Sequence, residues 1–301
     1  MKFFITGGTG FIGQALLKRL LEAGHEISLL TRSARGREHL KDKVRLIEGD
    51  PSRPGLWQEE VVRAEAVINL AGASIFSRWS KRVKRKLLES RVLTTRRLVE
   101  AMASSKDGPQ VLLSASAVGY YGFQGDEEID ESVTHGDDFL AQTCQAWEAE
   151  ALKAKEAGIR VALMRFGIVL GQEGGALKLM LPLFRIGLGG RLGKGSQWFS
   201  WIHRADLVEA IVFILDHPEA QGPINFTAPE PVTNAELTRA LSQALHRPAM
   251  LPVPGFIISL VLGEFGSILL KGQRVKPVKL ENLGFNFQYP SINQALTDLL
   301  P

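Results

Sequence analysis

Cysteine, tyrosine and long apolar runs are all scarce in this chain of 301 residues, and each scarcity removes a class of protein. The single cysteine, Cys144, cannot close an intramolecular disulfide, so the fold needs no covalent staples and the chain reads as cytoplasmic. Met1 leads directly into an apolar strand, with no charged leader or apolar h-region, which fits that location. The most apolar stretch, Phe256 to Leu270, falls short of the roughly 20 residues that a spanning helix needs and contains Glu264, so it reads as a buried helix and no membrane partner is expected. Charge of one sign is also lacking: 36 Lys and Arg oppose 32 Asp and Glu, and a net charge of +4 does not suggest nucleic acid without a concentrated patch. Only three tyrosines occur, and the residues four positions beyond Tyr120, Tyr121 and Tyr289 are Gln124, Gly125 and Asn293.

What is present is a regular alternation. Met1 to Ile5, Glu26 to Leu30, Val44 to Glu48, Ala66 to Leu70, Val111 to Ser114 and Arg160 to Arg165 are short apolar runs of strand type. Between them, Gln14 to Ala23 and Ala146 to Glu156 carry helical spacing and stop at Gly24 and Gly158, as C-caps do. Parallel neighbours need crossovers, so this alternation predicts an α/β fold with a doubly wound parallel sheet. After Arg165 the rhythm changes to a Gly-rich segment, Gly187 to Gly195, a helix from Ala205 to Leu215 and Pro/Gly punctuation from Pro218 to Pro231. The expected organisation is a nucleotide-binding domain over residues 1–165, to which 203–228 returns, and a smaller C-terminal α/β substrate lobe over 166–301.

The first strand-to-helix turn reads Thr6-Gly7-Gly8-Thr9-Gly10-Phe11-Ile12-Gly13. Gly7 permits a tight turn, Gly10 lets backbone approach a pyrophosphate and Gly13 lets helix and strand pack closely, while the helix N-terminus faces the phosphates. Gly7, Thr9, Gly10, Phe11, Ile12 and Gly13 are therefore candidate dinucleotide contacts in a Rossmann fold. At the end of the second strand, where an NAD site places a carboxylate on the ribose, stand Thr31, Arg32 and Ser33. Arg32 could pair with a 2′-phosphate, assisted by the two hydroxyls, which favours NADP(H); the alternative is a solvated loop arginine. Leu70, Ala71 and Gly72 offer a small-residue passage beside the cofactor, and Asp50 could border the adenine. Both could also be simple turn chemistry.

With these residues in view, the chain resembles the extended short-chain dehydrogenase/reductases, and within them an epimerase/dehydratase-like subfamily. The resemblance covers essentially the whole chain. Beyond the turn it rests on Asn69-Leu70-Ala71-Gly72, Ser114-Ala115-Ser116-Ala117-Val118-Gly119-Tyr120-Tyr121-Gly122, Trp147-Glu148, Arg165-Phe166-Gly167-Ile168-Val169-Leu170-Gly171, Gly187-Leu188-Gly189-Gly190, Trp201-Ile202-His203 and Ala228-Pro229-Glu230-Pro231-Val232. It implies a Rossmann domain, NADP(H) and a C-terminal lobe holding a small-molecule substrate. It names no substrate.

The family moves a proton through a tyrosine whose phenol is made acidic by a lysine four residues later, with a Ser or Thr orienting the substrate oxygen. Ser116 matches the serine, although a strand-end hydroxyl can also simply bond backbone. The Tyr-x-x-x-Lys pair is missing: counted from Trp147-Glu148, its places fall near Leu140 and Cys144. With no basic neighbour in the local sequence, Cys144 reads as a buried, apolar-like cysteine rather than a thiol nucleophile. Replacement proton-carrier candidates are Tyr120, Tyr121, His203 and Asp206, although His203, just before a helix, more readily serves the backbone of that helix. Arg165 and Arg191 are candidates for an anionic substrate.

From Arg78 to Arg97 the chain carries nine Lys or Arg and one acid, Glu89, with Val83, Leu87, Leu88, Val92, Leu98 and Val99 keeping an apolar stripe. A solvated basic helix face is the plain reading. The resemblance makes Arg91 a candidate cofactor contact, and without aromatic interleaving beyond Trp79 no nucleic-acid partner is expected. Two functions stay open: an NADP(H)-dependent oxidoreductase or epimerase-like enzyme with altered proton chemistry, or a cofactor-binding sensor that has lost catalysis. Either could form a homodimer.

Overall fold

The computed structural model describes residues 1–300. Seven strands, β1 (Lys2–Thr6), β2 (Glu26–Thr31), β3 (Arg45–Glu48), β4 (Ala66–Asn69), β5 (Val111–Ala117), β6 (Arg160–Phe166) and β7 (Gly222–Phe226), form one parallel sheet in the order β7-β6-β5-β4-β1-β2-β3. The winding direction reverses between β1 and β4. At such a switch point the loops leave the carboxyl ends of the two strands in opposite directions and open a crevice. β4 reads Ala-Val-Ile-Asn and is buried throughout, as a central strand covered on both faces must be.

The helices are α1 (Phe11–Glu22), α2 (Trp57–Val61), α3 (Lys81–Ala103), α4 (Phe139–Leu152), α5 (Gly175–Arg185), α6 (Arg204–Leu215), α7 (Asn234–Leu245), α8 (Gly255–Leu262), α9 (Glu264–Leu269), α10 (Val278–Asn282) and α11 (Ile292–Leu299). On one face of the sheet, Leu16, Leu17 and Leu20 of α1 and Leu207, Ile211 and Ile214 of α6 share a core with Ile5, Leu29 and Ile68. On the other, Leu98 and Met102 of α3 pack with Phe4, Val67 and Leu112. A separate core joins Leu177, Leu181 and Phe184 of α5 to Trp201, Leu237, Leu241, Leu296 and Leu299. Residues 204–226 thus contribute both a helix and the outermost strand to the sheet layer.

Two elements differ from their sequence reading. The helix expected over Ala146 to Glu156 begins seven residues earlier, at Phe139, because the Asp138 carboxylate accepts the Leu140 and Ala141 amides; its last expected turn is a 3₁₀ segment, Lys153–Ala157, ended by Gly158 at φ 76°. The stretch Phe256 to Leu270 is not one buried helix. Gly263, at φ 63°, splits it into α8 and α9, and Phe256, Leu260 and Val261 stay exposed.

Candidate functional site

The glycines of the first turn are held by close backbone approach. Gly7 has φ 72°, and a Cβ there would lie 2.5 Å from the Leu70 carbonyl, while one on Gly13 would overlap the Gly7 carbonyl and Gly8 Cα. The turn closes with the Gly10 amide donating to Gly7 O at 2.9 Å. Gly10 N-caps α1 with no side-chain cap, and the first turn of the helix holds no acid. The leading amides of α1 therefore have no acceptor within their own helix and face the crevice between β1 and β4. Leu70, Ala71 and Gly72 pass over this turn, so the structure brings the two glycine-containing segments together as the sequence reading requires. These glycines let the turn, α1 and the segment after β4 pack backbone to backbone, and the uncapped start of α1 that results fits a dinucleotide pyrophosphate.

Not every residue of the turn faces that way. The Phe11 ring packs against Gly171, Gly174 and Gly175 and lies 4.9 Å from the Arg204 guanidinium, so only its amide is left for a ligand. Gln14 donates to Thr9 O at 3.1 Å and braces the loop. At the end of β2 the Thr31 hydroxyl donates to Ser33 O at 3.0 Å, and the Ser33 hydroxyl accepts the Arg35 amide. Arg32 is exposed there, next to Arg35 and Arg37 in sequence, with no ion-pair partner among the described residues. Asp50 caps its own loop: bonds from the Ser52 hydroxyl hold its carboxyl below the usual range, with smaller help from Arg53 and Arg32 against the opposing effect of burial.

Arg91 leaves the otherwise solvated face of α3. Its guanidinium donates to Leu87 O and Ala73 O at 3.0 Å, stacks 5.3 Å from the Trp147 ring and lies against Gly72. Burial pulls its pKa below the ordinary arginine value, and no carboxylate pairs with it among the described residues. Four other cations of the basic segment are paired with acids: Lys84 with Glu264, Arg85 with Glu89, Arg96 with Glu150 and Arg97 with Glu100. Beneath Gly72 lies a polar chain that sequence reasoning missed. Thr6 donates to Asn69 at 2.7 Å, Asn69 to Thr95 at 2.8 Å, and Trp147 Nε1 also donates to Thr95 at 2.8 Å. These buried bonds pin β1, β4, α3 and α4 together at the crevice floor.

Ser116, at the end of β5, is buried and donates its hydroxyl to Glu148 Oε1 at 2.6 Å. Glu148 was not among the expected site residues. Both its oxygens are gripped by Arg165, Nε to Oε1 at 2.9 Å and Nη2 to Oε2 at 2.8 Å. Arg165 Nη1 donates to the Tyr121 hydroxyl at 2.9 Å, which donates to Asn225 at 2.7 Å. The clue available in the sequence was Arg165 itself, a cation inside the apolar run Val161 to Phe166, which must bury an opposite charge with it.

This network corrects two expectations. Arg165 cannot take an anionic substrate, because its fork is spent on Glu148 and Tyr121 and it is 3% exposed. Tyr121 is fully buried, and burial pushes its phenol up to about 12, so it is a structural hydroxyl rather than a proton carrier. The Arg165 and Asn225 bonds act against that rise without cancelling it. Tyr120 remains: it is half-buried, with its ring 3.5 Å over the Arg165 guanidinium. At the two positions where the family's tyrosine and lysine were expected, Leu140 packs on Gly119 and Cys144 is buried, its thiol pushed up to about 12 by that burial. Cys144 is therefore no nucleophile.

His203 and Asp206 are likewise corrected from proton carriers to fold elements. His203 Nδ1 accepts the Ala205 amide at 3.1 Å, capping α6; its ring stacks on Tyr289 with centroids 3.9 Å apart, and its Nε2 faces Asp298 at 3.3 Å. Asp206 accepts the Gln288 and Tyr289 amides and ties α6 to the C-terminal segment, its pKa raised by burial. Arg191 is exposed beside Val253, whose amide bonds its carbonyl.

His203 makes a pH prediction. With Nδ1 accepting, the neutral ring carries its proton on Nε2. Burial, helped by the nearby Arg204 charge, disfavours the imidazolium, and the pKa lies below 6.5 although Asp298 pulls it upward. The folded chain thus binds fewer protons than the unfolded one between 6.5 and the depressed value, so stability is full above 6.5 and declines as pH falls through that window. Urea midpoints should drop on acidification from neutral, and His203→Asn, which can keep the cap, should flatten the drop. An unchanged slope in the variant rules the assignment out.

Comparison with known proteins agrees with this architecture. A family model described as the NAD dependent epimerase/dehydratase family matches residues 3–227, and one described as a domain of unknown function, DUF1731, matches residues 253–299. The chain is 43% identical over 305 residues to an epimerase family protein SDR39U1 homolog, chloroplastic, of Arabidopsis thaliana, covering 100% of this chain and 87% of that one. It is 38% identical over 301 residues to the epimerase family protein YfhF of Bacillus subtilis, covering 100% and 98%. The crystal structure of human epimerase family protein SDR39U1 (isoform 2) with NADPH matches at a TM-score of 0.89 and 32% identity, over 100% and 99% of the two chains.

Proposed function

This chain belongs to the NAD-dependent epimerase/dehydratase family of extended short-chain dehydrogenases, and we propose that it is an NADP(H)-dependent oxidoreductase or epimerase for a small polar substrate, working in the cytoplasm without the usual tyrosine and lysine. The observation that carries this reading is the glycine cradle at the β1/β4 switch point, with the uncapped start of α1 and the strand-end Ser116 on the same carboxyl edge of the sheet. The amides of residues 11–13 take the pyrophosphate, Leu70 to Gly72 pass beside the cofactor, Arg91 supplies a cation that no carboxylate of the described residues neutralises, and Arg32 takes the 2′-phosphate. When bound, NADP(H) supplies hydride transfer. The human relative crystallised with NADPH supports the choice of phosphate-bearing cofactor.

Ser116 donates its hydroxyl hydrogen bond to Glu148, which leaves an acceptor lone pair for a substrate hydroxyl, and Tyr120 is the half-buried phenol of the segment that follows β5. Two readouts test the proposal: NADPH absorbance with carbonyl compounds for net reduction, and interconversion of sugar-nucleotide epimers followed by chromatography, since an epimerase returns its hydride and leaves the absorbance unchanged. Wild type should turn over, and Ser116→Ala should lose turnover while still binding NADPH. The replacement of the proton pair by Leu140 and Cys144 favours a second reading, a cofactor-binding sensor, which predicts binding without turnover in both.

Cofactor choice is tested separately. Arg32→Asp replaces a charge-assisted contact of about 1.5–3 kcal/mol, so NADPH affinity should fall by roughly tenfold to a hundredfold. NADH affinity should change far less. Equal losses in a fluorescence titration would remove Arg32 from the 2′-phosphate.

A further inference from the structure

The most unusual surface of the molecule lies where its apolar side chains are least covered. α8 reads Gly-Phe-Ile-Ile-Ser-Leu-Val-Leu and buries only Ile258, leaving Phe256, Leu260 and Val261 at 74, 73 and 60% exposed. Just before it, Met250 and Leu251 are 83 and 56% exposed; just after α5, Ile186 and Leu188 are 66 and 52% exposed. The two segments run side by side. Gly193 N donates to Val253 O and Val253 N to Arg191 O, each at 2.9 Å, and Gly190 packs directly on the Leu251 carbonyl. Scattered apolar residues on a surface need no explanation, but a contiguous group of this kind marks an interaction site. Side chains this exposed project outward rather than line a cleft.

Charge says what kind of partner it is. Residues 174–195 carry Lys178, Arg185, Arg191 and Lys194 and no Asp or Glu, and residues 246–263 carry Arg247 and no Asp or Glu. Composition does not account for this, since the whole chain has 36 cations against 32 acids. The first acid beyond, Glu264, is neutralised by Lys84 at 2.6 Å, and Arg78 lies against Gly263, so the basic start of α3 extends the positive rim. A second copy docking through this face would set one cationic rim against another, because a two-fold contact pairs a patch with itself.

We propose that this face docks on an anionic phospholipid surface, with Phe256, Leu260 and Met250 entering the headgroup boundary and the surrounding cations meeting lipid phosphates. The eight residues of α8 make a helix of about 12 Å, far short of a bilayer, and no helix among the described residues is long and apolar enough to cross one. The contact is peripheral.

Flotation of the full chain with vesicles tests it, using phosphatidylcholine alone and phosphatidylcholine with phosphatidylglycerol. The protein should float only with the anionic vesicles and should be released by high salt. Phe256→Ser with Leu260→Ser should lower the partition at least about tenfold, and Lys178→Ala or Arg185→Ala should each lower it roughly fivefold. Melting temperatures of the variants check their fold, and the two charge variants keep the test open if the apolar one fails to fold. The proposal is overturned by no flotation with anionic vesicles, or by equal flotation with both lipids at any salt. It is also overturned if sedimentation velocity finds a dimer that Phe256→Ser with Leu260→Ser dissociates, since the face then belongs to a second copy.

Discussion

Glu148→Ala should destabilise the protein by about 3–5 kcal/mol, the usual cost of removing one partner from a buried ion pair. The loss does not come mainly from a missing attraction. Arg165 is 3% exposed, so without Glu148 its guanidinium stays in a poorly solvated interior and loses both acceptors of its fork. Ser116 loses its acceptor at the same time. The melting temperature should fall by roughly 6–15 °C, at the low sensitivity expected of a chain this long. The double variant Glu148→Leu with Arg165→Met removes both charges and should recover much of that stability, because burying a pair is itself costly. Denaturant unfolding of the two single variants and the double one closes the cycle. If Glu148→Ala unfolds at the wild-type urea midpoint, the pair is not buried as described.

The double variant also separates structure from chemistry. Restored stability without restored turnover would mark Glu148 as the group that positions the Ser116 hydroxyl. Restored turnover would leave Glu148 with a purely structural part.

The second large effect belongs to the cofactor turn. Gly13→Ala places a methyl group into the Gly7 carbonyl and Gly8 Cα, backbone atoms that cannot rotate away. Helix α1 must move off the turn. Overpacking of this kind costs about 1–3 kcal/mol, and the displaced α1 amides should weaken NADPH binding at least tenfold. Gly24→Ala is the control. Gly24 has φ 76° but open space around it, so alanine there should cost about 1 kcal/mol of backbone strain and leave NADPH affinity unchanged. Equal NADPH affinities for Gly13→Ala and wild type, measured by calorimetry, would falsify the placement of the pyrophosphate at this turn.

The glycine turn and the buried network also show how far this sequence could be read. Glycines 7, 10 and 13 were legible because their function is backbone geometry within eight consecutive residues, so spacing alone carries it. The parallel sheet was legible for a similar reason: apolar runs such as Val67–Ile68 and Leu112–Leu113 recur between helices and need crossovers. α8 was misread because apolar composition is local, whereas burial depends on whether another element arrives to cover it, and none covers Phe256 or Leu260.

The candidate chemistry divides along the same line. Absences were decided by the sequence alone: with no lysine four residues after any tyrosine, no tertiary arrangement could restore that local pair. The fate of Tyr121, His203 and Arg165 could be decided only in three dimensions. Tyr121 and Asn225 are 104 residues apart, yet their side chains meet at 2.7 Å. Arg165 on β6 meets Glu148 on α4, and His203 meets Asp298 only when the last helix folds back. Residue type states which bonds a side chain can make; the topology of the sheet determines which partners come within reach, and so which polar groups are consumed by the fold and which remain free for a ligand.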